Sequence, residues 1–409
     1  MISKSKLLTL AVLLIAPSLF AQPQGFVNTQ GRVSSPGETI LQSYERIFVR
    51  SSLSTKVNVL SDAANDEAAA EFYGPFCELA LCFVIDNALL FRDDPDMINL
   101  TIAAIRGVGD YAYNPAADAV WQVFLRFPDR VIRYEILEIL PRLDILNFTG
   151  KVNDFLDELN RRFISELSLN ETELDIELLL PLIGILGRTG DESSYPILFT
   201  SSVIYSGELR DEAINAMYTI NGNLFDFCIM VIFENPPDEK LSAFNLALSW
   251  EWLTEDEEGR LAETALEVAL SVPGDRRSEI QELSEMSLRI IKEAGWIRAL
   301  PQVLKYYNQS LLYFRNNQTF VQPLINAINC LGSLKSSDAA QALALQLGLY
   351  NSRAAELNTE EQEVVLTLIN ALGDLAYKAS YDGLYYASIL TYPEKIIEAA
   401  EDALAKLKW

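Results

Sequence analysis

Four thiols, a run of carboxylates beside two tryptophans and a rich supply of tyrosines are the side chains through which this chain could do chemistry. The thiols are Cys77, Cys82, Cys228 and Cys330. An even number would suit a disulfide framework in an oxidising compartment. Cys77 and Cys82, however, lie five apart in the apolar stretch Phe76–Val84, which follows Pro75 and reads as a helix. Five residues turn two helical side chains to different faces, so the expectation is buried free thiols acting as small hydrophobes. There is no CxxC pair, and no metal site is assigned. Glu255, Asp256, Glu257 and Glu258 follow Trp250 and Trp252 and could offer calcium or a basic peptide a site beside an aromatic platform. The run lacks the Asp-x-Asn-x-Asp-Gly ligand order. With Thr254 ahead of it, the favoured reading is a helix first turn, where the macrodipole suits carboxylates. Asp93, Asp94 and Asp96 around Pro95 read the same way, as the cap and first turn of the helix that holds Ile98 and Ile102.

The chain contains no histidine. This excludes His-ligated zinc, a His general base and every Ser-His-Asp or Cys-His arrangement. One serious catalytic route remains, a pair of carboxylates working as acid and base in a carbohydrate-active helical toroid. Such an enzyme needs long loops carrying Trp and acidic residues, whereas most connections here are a few residues long. The chain is therefore expected to be non-enzymatic, with no catalytic residue and no cofactor.

Half of the 409 residues are hydrophobic and 22% are charged, enough apolar matter for a large core. Met1–Ala21 carries Lys4 and Lys6, an apolar run from Leu7 to Ala16, then small residues and Pro17. It reads as a signal peptide cleaved near Ala21, which implies a periplasmic or secreted protein. Residues 22–40, with Gly25, Gly31, Pro36 and Gly37, read as a flexible leader. Removing Lys4 and Lys6 from the 32 basic residues leaves 30 against 57 acidic ones, a formal charge of −27. That disfavours nucleic acid and anionic membrane and favours a basic partner.

Beyond the leader, apolar residues recur at three and four, and helix starts are legible. Proline follows Asn114, Asn235 and Tyr392. Capping boxes are expected at Thr254 with Glu257, Ser278 with Gln281 and Thr359 with Gln362. Four segments share an Ile, an aliphatic residue three on, and a Gly: they end at Gly109, Gly187, Gly332 and Gly373. Degenerate copies follow at Arg133–Pro141, Arg210–Tyr218 and Glu398–Ala405, 31 or 32 residues after the Gly109, Gly187 and Gly373 copies. That interval is one helix-pair repeat. The glycines read as left-handed C-caps closing the first helix of each pair.

These segments, above all Thr101–Asp110 (TIAAIRGVGD) and Leu366–Asp374 (LTLINALGD), resemble HEAT repeats of the short kind first recognised in bilin lyases. Gly190 with Asp191 resembles that family's first helix end, and Ile132–Arg133 and Leu209–Arg210 resemble the Val-Arg pair that opens its next helix. The resemblance covers most of residues 95–220 and 320–409. It implies an all-α fold over residues 41–409, an α-solenoid of stacked antiparallel helix pairs, with roughly eight to ten pairs. It also implies a protein-binding scaffold. In such stacks the second helix of each pair lines the concave side, which would place Trp121, Tyr385 and Tyr386 there as partner-binding residues. Adjacent helical residues are about 100° apart, so at least one of Tyr385 and Tyr386 is expected to show its ring to solvent, unless both rings merely fill gaps in a thin solenoid. A carbohydrate-active toroid and a structural subunit of an envelope assembly are the alternatives.

Overall fold

Helix punctuation in the sequence translates directly into caps. In the computed structural model, which describes residues 36–91, 93–143, 148–165, 173–271 and 277–407, there are α-helices and short 3-10 turns and no strand among the described residues. The expected signal peptide and most of the leader lie outside the described residues; the first helix starts at Pro36, within the stretch read as leader. Thr254 and Glu257 form the expected capping box, the threonine hydroxyl accepting from the Glu257 N–H at 3.2 Å and the carboxylate from the Thr254 N–H at 3.0 Å. Asp94 accepts from the Asp96 N–H at 2.9 Å, as its position before Pro95 implied. The third box is displaced by one residue, to Asn358 with Glu361. Ser278 caps nothing; Arg277 holds that N-cap position.

Contacts divide the chain into two units, with the boundary in the sequence after Leu143. The first holds α1 (Pro36–Arg50), α2 (Leu53–Ala64), α3 (Tyr73–Phe91), α4 (Pro95–Asp110), α5 (Ala117–Arg126) and α6 (Arg130–Ile139). Here α2, α4 and α6 pack in succession as one layer, and α1, α3 and α5 as the other. The second unit holds α7 (Thr149–Ser165), α8 (Glu173–Thr189), α9 (Tyr195–Ile204), α10 (Glu208–Thr219), α11 (Leu224–Glu234), α12 (Pro237–Leu248) and α13 (Glu255–Ala269). It continues with α14 (Ser278–Ala294), α15 (Leu300–Arg315), α16 (Gln322–Ser333), α17 (Ser337–Asn351), α18 (Thr359–Leu375), α19 (Tyr381–Ile389) and α20 (Glu394–Lys406). Its helices alternate in the same way, with α12, α14, α16, α18 and α20 as one continuous stack. Each unit is thus an all-α, solenoid-like stack in which a helix touches its neighbours one and two places along. Between 222 and 320, where the sequence repeat is faint, α11 to α15 keep this alternation.

The four repeat glycines are not C-caps. Positive φ among glycines occurs at Gly207 and Gly295, and Gly295 is the left-handed cap that closes α14. Gly109, Gly187, Gly332 and Gly373 instead lie inside α4, α8, α16 and α18 and are buried where each helix crosses the next one in its layer. A Cβ on Gly109 would stand 2.5 Å from Ile139 Cγ2, on Gly187 2.9 Å from Ala216 Cα, on Gly332 2.9 Å from Ala371 Cβ, and on Gly373 3.0 Å from Ala403 Cβ. The four partners lie on α6, α10, α18 and α20. The missing side chain lets two helix backbones approach, and the repeat interval is the distance along the chain from one crossing to the next.

Cations lock several hairpins. The first turn of α12 supplies Lys240, whose buried Nζ donates to the carbonyls of Ile232 at 2.6 Å and Phe233 at 2.8 Å, at the end of α11. Lys56 of α2 does the same to Phe48 and Val49 at the end of α1. Arg133 Nε of α6 donates to Phe124 O of α5 at 3.3 Å. Helix C-terminal carbonyls lack intrahelical donors and carry the negative end of the macrodipole, so one cation satisfies both needs.

Candidate functional site

The tyrosine-bearing helix α19 is short, and its apolar and aromatic residues are not gathered on one face. Only Leu384 and Ala387 are buried on it, so other rings are left in solvent. Tyr385 and Tyr386 are 44% and 54% exposed. Tyr381 stacks on Tyr385 with centroids 5.9 Å apart and planes at 13°, and Tyr386 meets Tyr385 edge-on at 5.9 Å. Both tyrosines are therefore at the surface, where the 100° argument required only one. Trp121, the third expected anchor, is buried: its ring stacks on Phe124 at 4.8 Å and 10° in α5. The repeat assigned it to the same type of helix as the tyrosines, but its position on that helix faces the core, so it offers no surface ring.

The neighbouring helix α17 completes a groove. Ser336 caps it, accepting from the Asp338 N–H at 3.1 Å. Ala339, Ala340, Leu343, Leu347 and Tyr350 form its buried face. Leu345, at 72% exposure, and Leu349 form a second apolar stripe one turn apart on the solvent side. Between α17 and α19 lies a groove of about 790 Å³. Its floor is made of small residues, Ala344, Gly348, Ala379 and Gly383, and its walls of Leu345, Leu349 and Tyr386. Helix approach is close: a Cβ on Gly383 would lie 3.4 Å from Leu347 Cδ2. Asn351 pins one end, donating from Nδ2 to Gly383 O at 2.9 Å and accepting from the Tyr392 hydroxyl at 3.0 Å. Asp382 is the sole charged residue lining the groove.

The other sequence candidates resolve into structural roles. Glu255–Glu258 is the first turn of α13, and the Thr254 N–H and hydroxyl hold the Glu257 carboxyl below its ordinary pKa. Trp252 is exposed and stacks on the buried Trp250 at 4.6 Å. Cys77, Cys228 and Cys330 are free and buried, and burial pushes each thiol up to about 12. Cys82 is free but exposed, on another face of α3 from Cys77. Among the described residues no group of three or more Cys, Asp or Glu is placed to hold a metal ion.

Leu345, Leu349, Gly348 and Gly383 were not singled out from the sequence. The available signal was that α17 carries apolar residues on two faces, at 343/347 and at 345/349, which one buried face does not need. Comparison with known protein families and with curated proteins gives no match to this sequence.

Proposed function

We propose that this chain is an exported, non-catalytic scaffold of HEAT-like repeats that receives a helical segment of a protein partner in the groove between α17 and α19. The observation that carries this reading is the pairing of an apolar wall, Leu345, Leu349 and Tyr386, with a floor of glycine and alanine. A small-residue floor admits a helix backbone closely, and apolar side chains at i and i+4 on an incoming helix would seat against the leucines. The groove volume is roughly that of two turns of a helix 10 Å across. Tyr386 is a suitable anchor because its ring is large, stiff and wet at its hydroxyl. With Asp382 on the lining and a formal charge of −25 on the whole chain, the incoming segment is basic on its polar side.

The test is surface binding kinetics with the captured partner. Tyr386→Ala should raise the dissociation rate and weaken binding by about 1–2 kcal/mol, with the helical signal unchanged. Added salt should slow association, since the field is screened over about 8 Å at physiological strength. A partner whose dissociation ignores Tyr386→Ala does not sit in this groove.

A further inference from the structure

A second cavity lies elsewhere in the same unit, where α13 and α15 touch only lightly. It measures about 390 Å³ and is bounded by the end of α13, the first half of α14, the second half of α15 and the turn leading into α16. That size falls within the range of small-molecule sites. Its polar groups are mostly of two kinds, amide and hydroxyl, set among apolar ones. Gln281, Gln309 and Gln318 line it together with Gln322, whose Nε2 donates to Asn326 Oδ1 at 2.9 Å, and Tyr306, Tyr313 and Ser284 add hydroxyls beside apolar Leu270, Ile280 and Pro323. Amide and hydroxyl groups both donate and accept, which matches a ligand whose own groups do both.

Several of these groups are held in place. Gln309 Nε2 donates to the Tyr313 hydroxyl at 3.0 Å. Tyr306 is hydrogen-bonded to Ser310, and burial pushes its phenol up to about 12, so it stays neutral. Phe320, also in the lining, leaves 88% of its surface exposed, a flat apolar face beside the glutamines.

The lining also discriminates. No lysine or arginine lines the cavity, and Glu285 is its one charged residue. An anionic ligand would be desolvated without a counter-charge. A simple cation would use Glu285 and leave the amides idle. A sugar ring satisfies both features, with hydroxyls for the amides and a C–H face for Tyr313 and Phe320. We infer that this cavity binds a neutral saccharide of one or two rings. With a single carboxylate present it lacks the second group that glycoside hydrolysis requires, so the saccharide is bound and not cleaved. This site is independent of the groove between α17 and α19.

The experiment is isothermal titration of the full chain with glucose, N-acetylglucosamine, maltose and glucose 6-phosphate. At least one neutral sugar should bind saturably at millimolar concentration or below, with glucose 6-phosphate at least about tenfold weaker than glucose. Gln309→Leu should weaken that binding by about tenfold or more, because it strips an amide from the lining. Phe320→Ser gives a second reading free of folding effects, since the ring is exposed; it should weaken binding while leaving circular dichroism and Tm unchanged. The inference is overturned by no saturable binding of any of the three neutral sugars, by equal binding of the phosphorylated sugar, or by affinity that neither variant moves.

Discussion

Adding one methyl at the crossing of α16 and α18 separates the two readings of the repeat glycines. In Gly332→Ala the new Cβ meets Ala371 Cβ at 2.9 Å and Ala371 Cα at 3.1 Å. Carbon atoms pack best at about 3.5–4.0 Å, so the helices must part by roughly half an ångström or more along a face otherwise filled. Helix propensity favours alanine over glycine by about 1 kcal/mol, and overpacking costs about 1–3 kcal/mol. The sum is a net loss of about 1 kcal/mol. Gly348 of α17 supplies the control: it too is inside a helix, and nothing lies within 4 Å of its Cβ position. There only the propensity gain remains, and Gly348→Ala should stabilise by up to about 1 kcal/mol. The two substitutions are chemically identical and should differ in sign. Urea unfolding followed by far-UV circular dichroism measures both. Ala371→Gly completes a cycle, since removing the opposing methyl relieves the clash; the double variant should be more stable than the sum of the singles by about 1 kcal/mol. Stabilisation by Gly332→Ala equal to that by Gly348→Ala, or a strictly additive cycle, would refute close packing as the reason for these glycines.

Native protein treated with an aromatic disulfide reagent at about pH 8 should release one equivalent, from Cys82, and four after denaturation; two or more fast equivalents would mean the buried thiols are open. Alkaline titration should show Tyr306 and Tyr392 resisting ionisation, since burial lifts both from 10.0 up to about 12. A raised folded-state value means that their contribution to stability is complete below about pH 10 and is lost as pH rises through about 12, so their tyrosinate absorbance should appear together with loss of helix. Ionisation of every tyrosine near pH 10 with the helical signal intact would contradict this. Lys240→Met keeps the buried stem and removes two hydrogen bonds to the end of α11, at an expected cost of about 1–3 kcal/mol in denaturant stability; no loss would mean the carbonyls are satisfied otherwise. Gly348→Ala, besides stabilising α17, puts a methyl on the groove floor and should weaken partner binding while raising Tm.

Period and type were legible because they depend on apolar spacing, which the stack preserves. The expected all-α stack is present, and the interval from Gly187 to its copy is the interval from α8 to α10. The role of the glycines was not legible. A glycine one or two residues before a helix end and a glycine at a C-cap look alike in sequence, and what separates them is the partner helix. A clue was present: the facing residues Ala216, Ala371 and Ala403 are themselves small, as a close crossing requires. Hairpin locking was half legible, since Arg133 belonged to the Val-Arg pattern, whereas Lys56 and Lys240 do the same work with a different cation and no such neighbour. At the surface, spacing required one of Tyr385 and Tyr386 to show its ring and both do, whereas Trp121 is buried against Phe124, because helix type says nothing of which side of the helix a ring occupies. The groove floor escaped notice because glycine and alanine carry no chemistry until two helices bring them together.

Site-directed photo-crosslinking in the native host tests the groove most directly. A benzophenone side chain is placed in one chain at position 349, in place of Leu349 on the groove wall, and in another at position 401, in place of the exposed Glu401 on α20. The expected result is a discrete protein adduct from position 349, greatly reduced when Tyr386→Ala is introduced into the same chain, and none from position 401. Equal adducts from both positions, or an adduct at 349 that Tyr386→Ala leaves unchanged, would contradict a partner seated between α17 and α19.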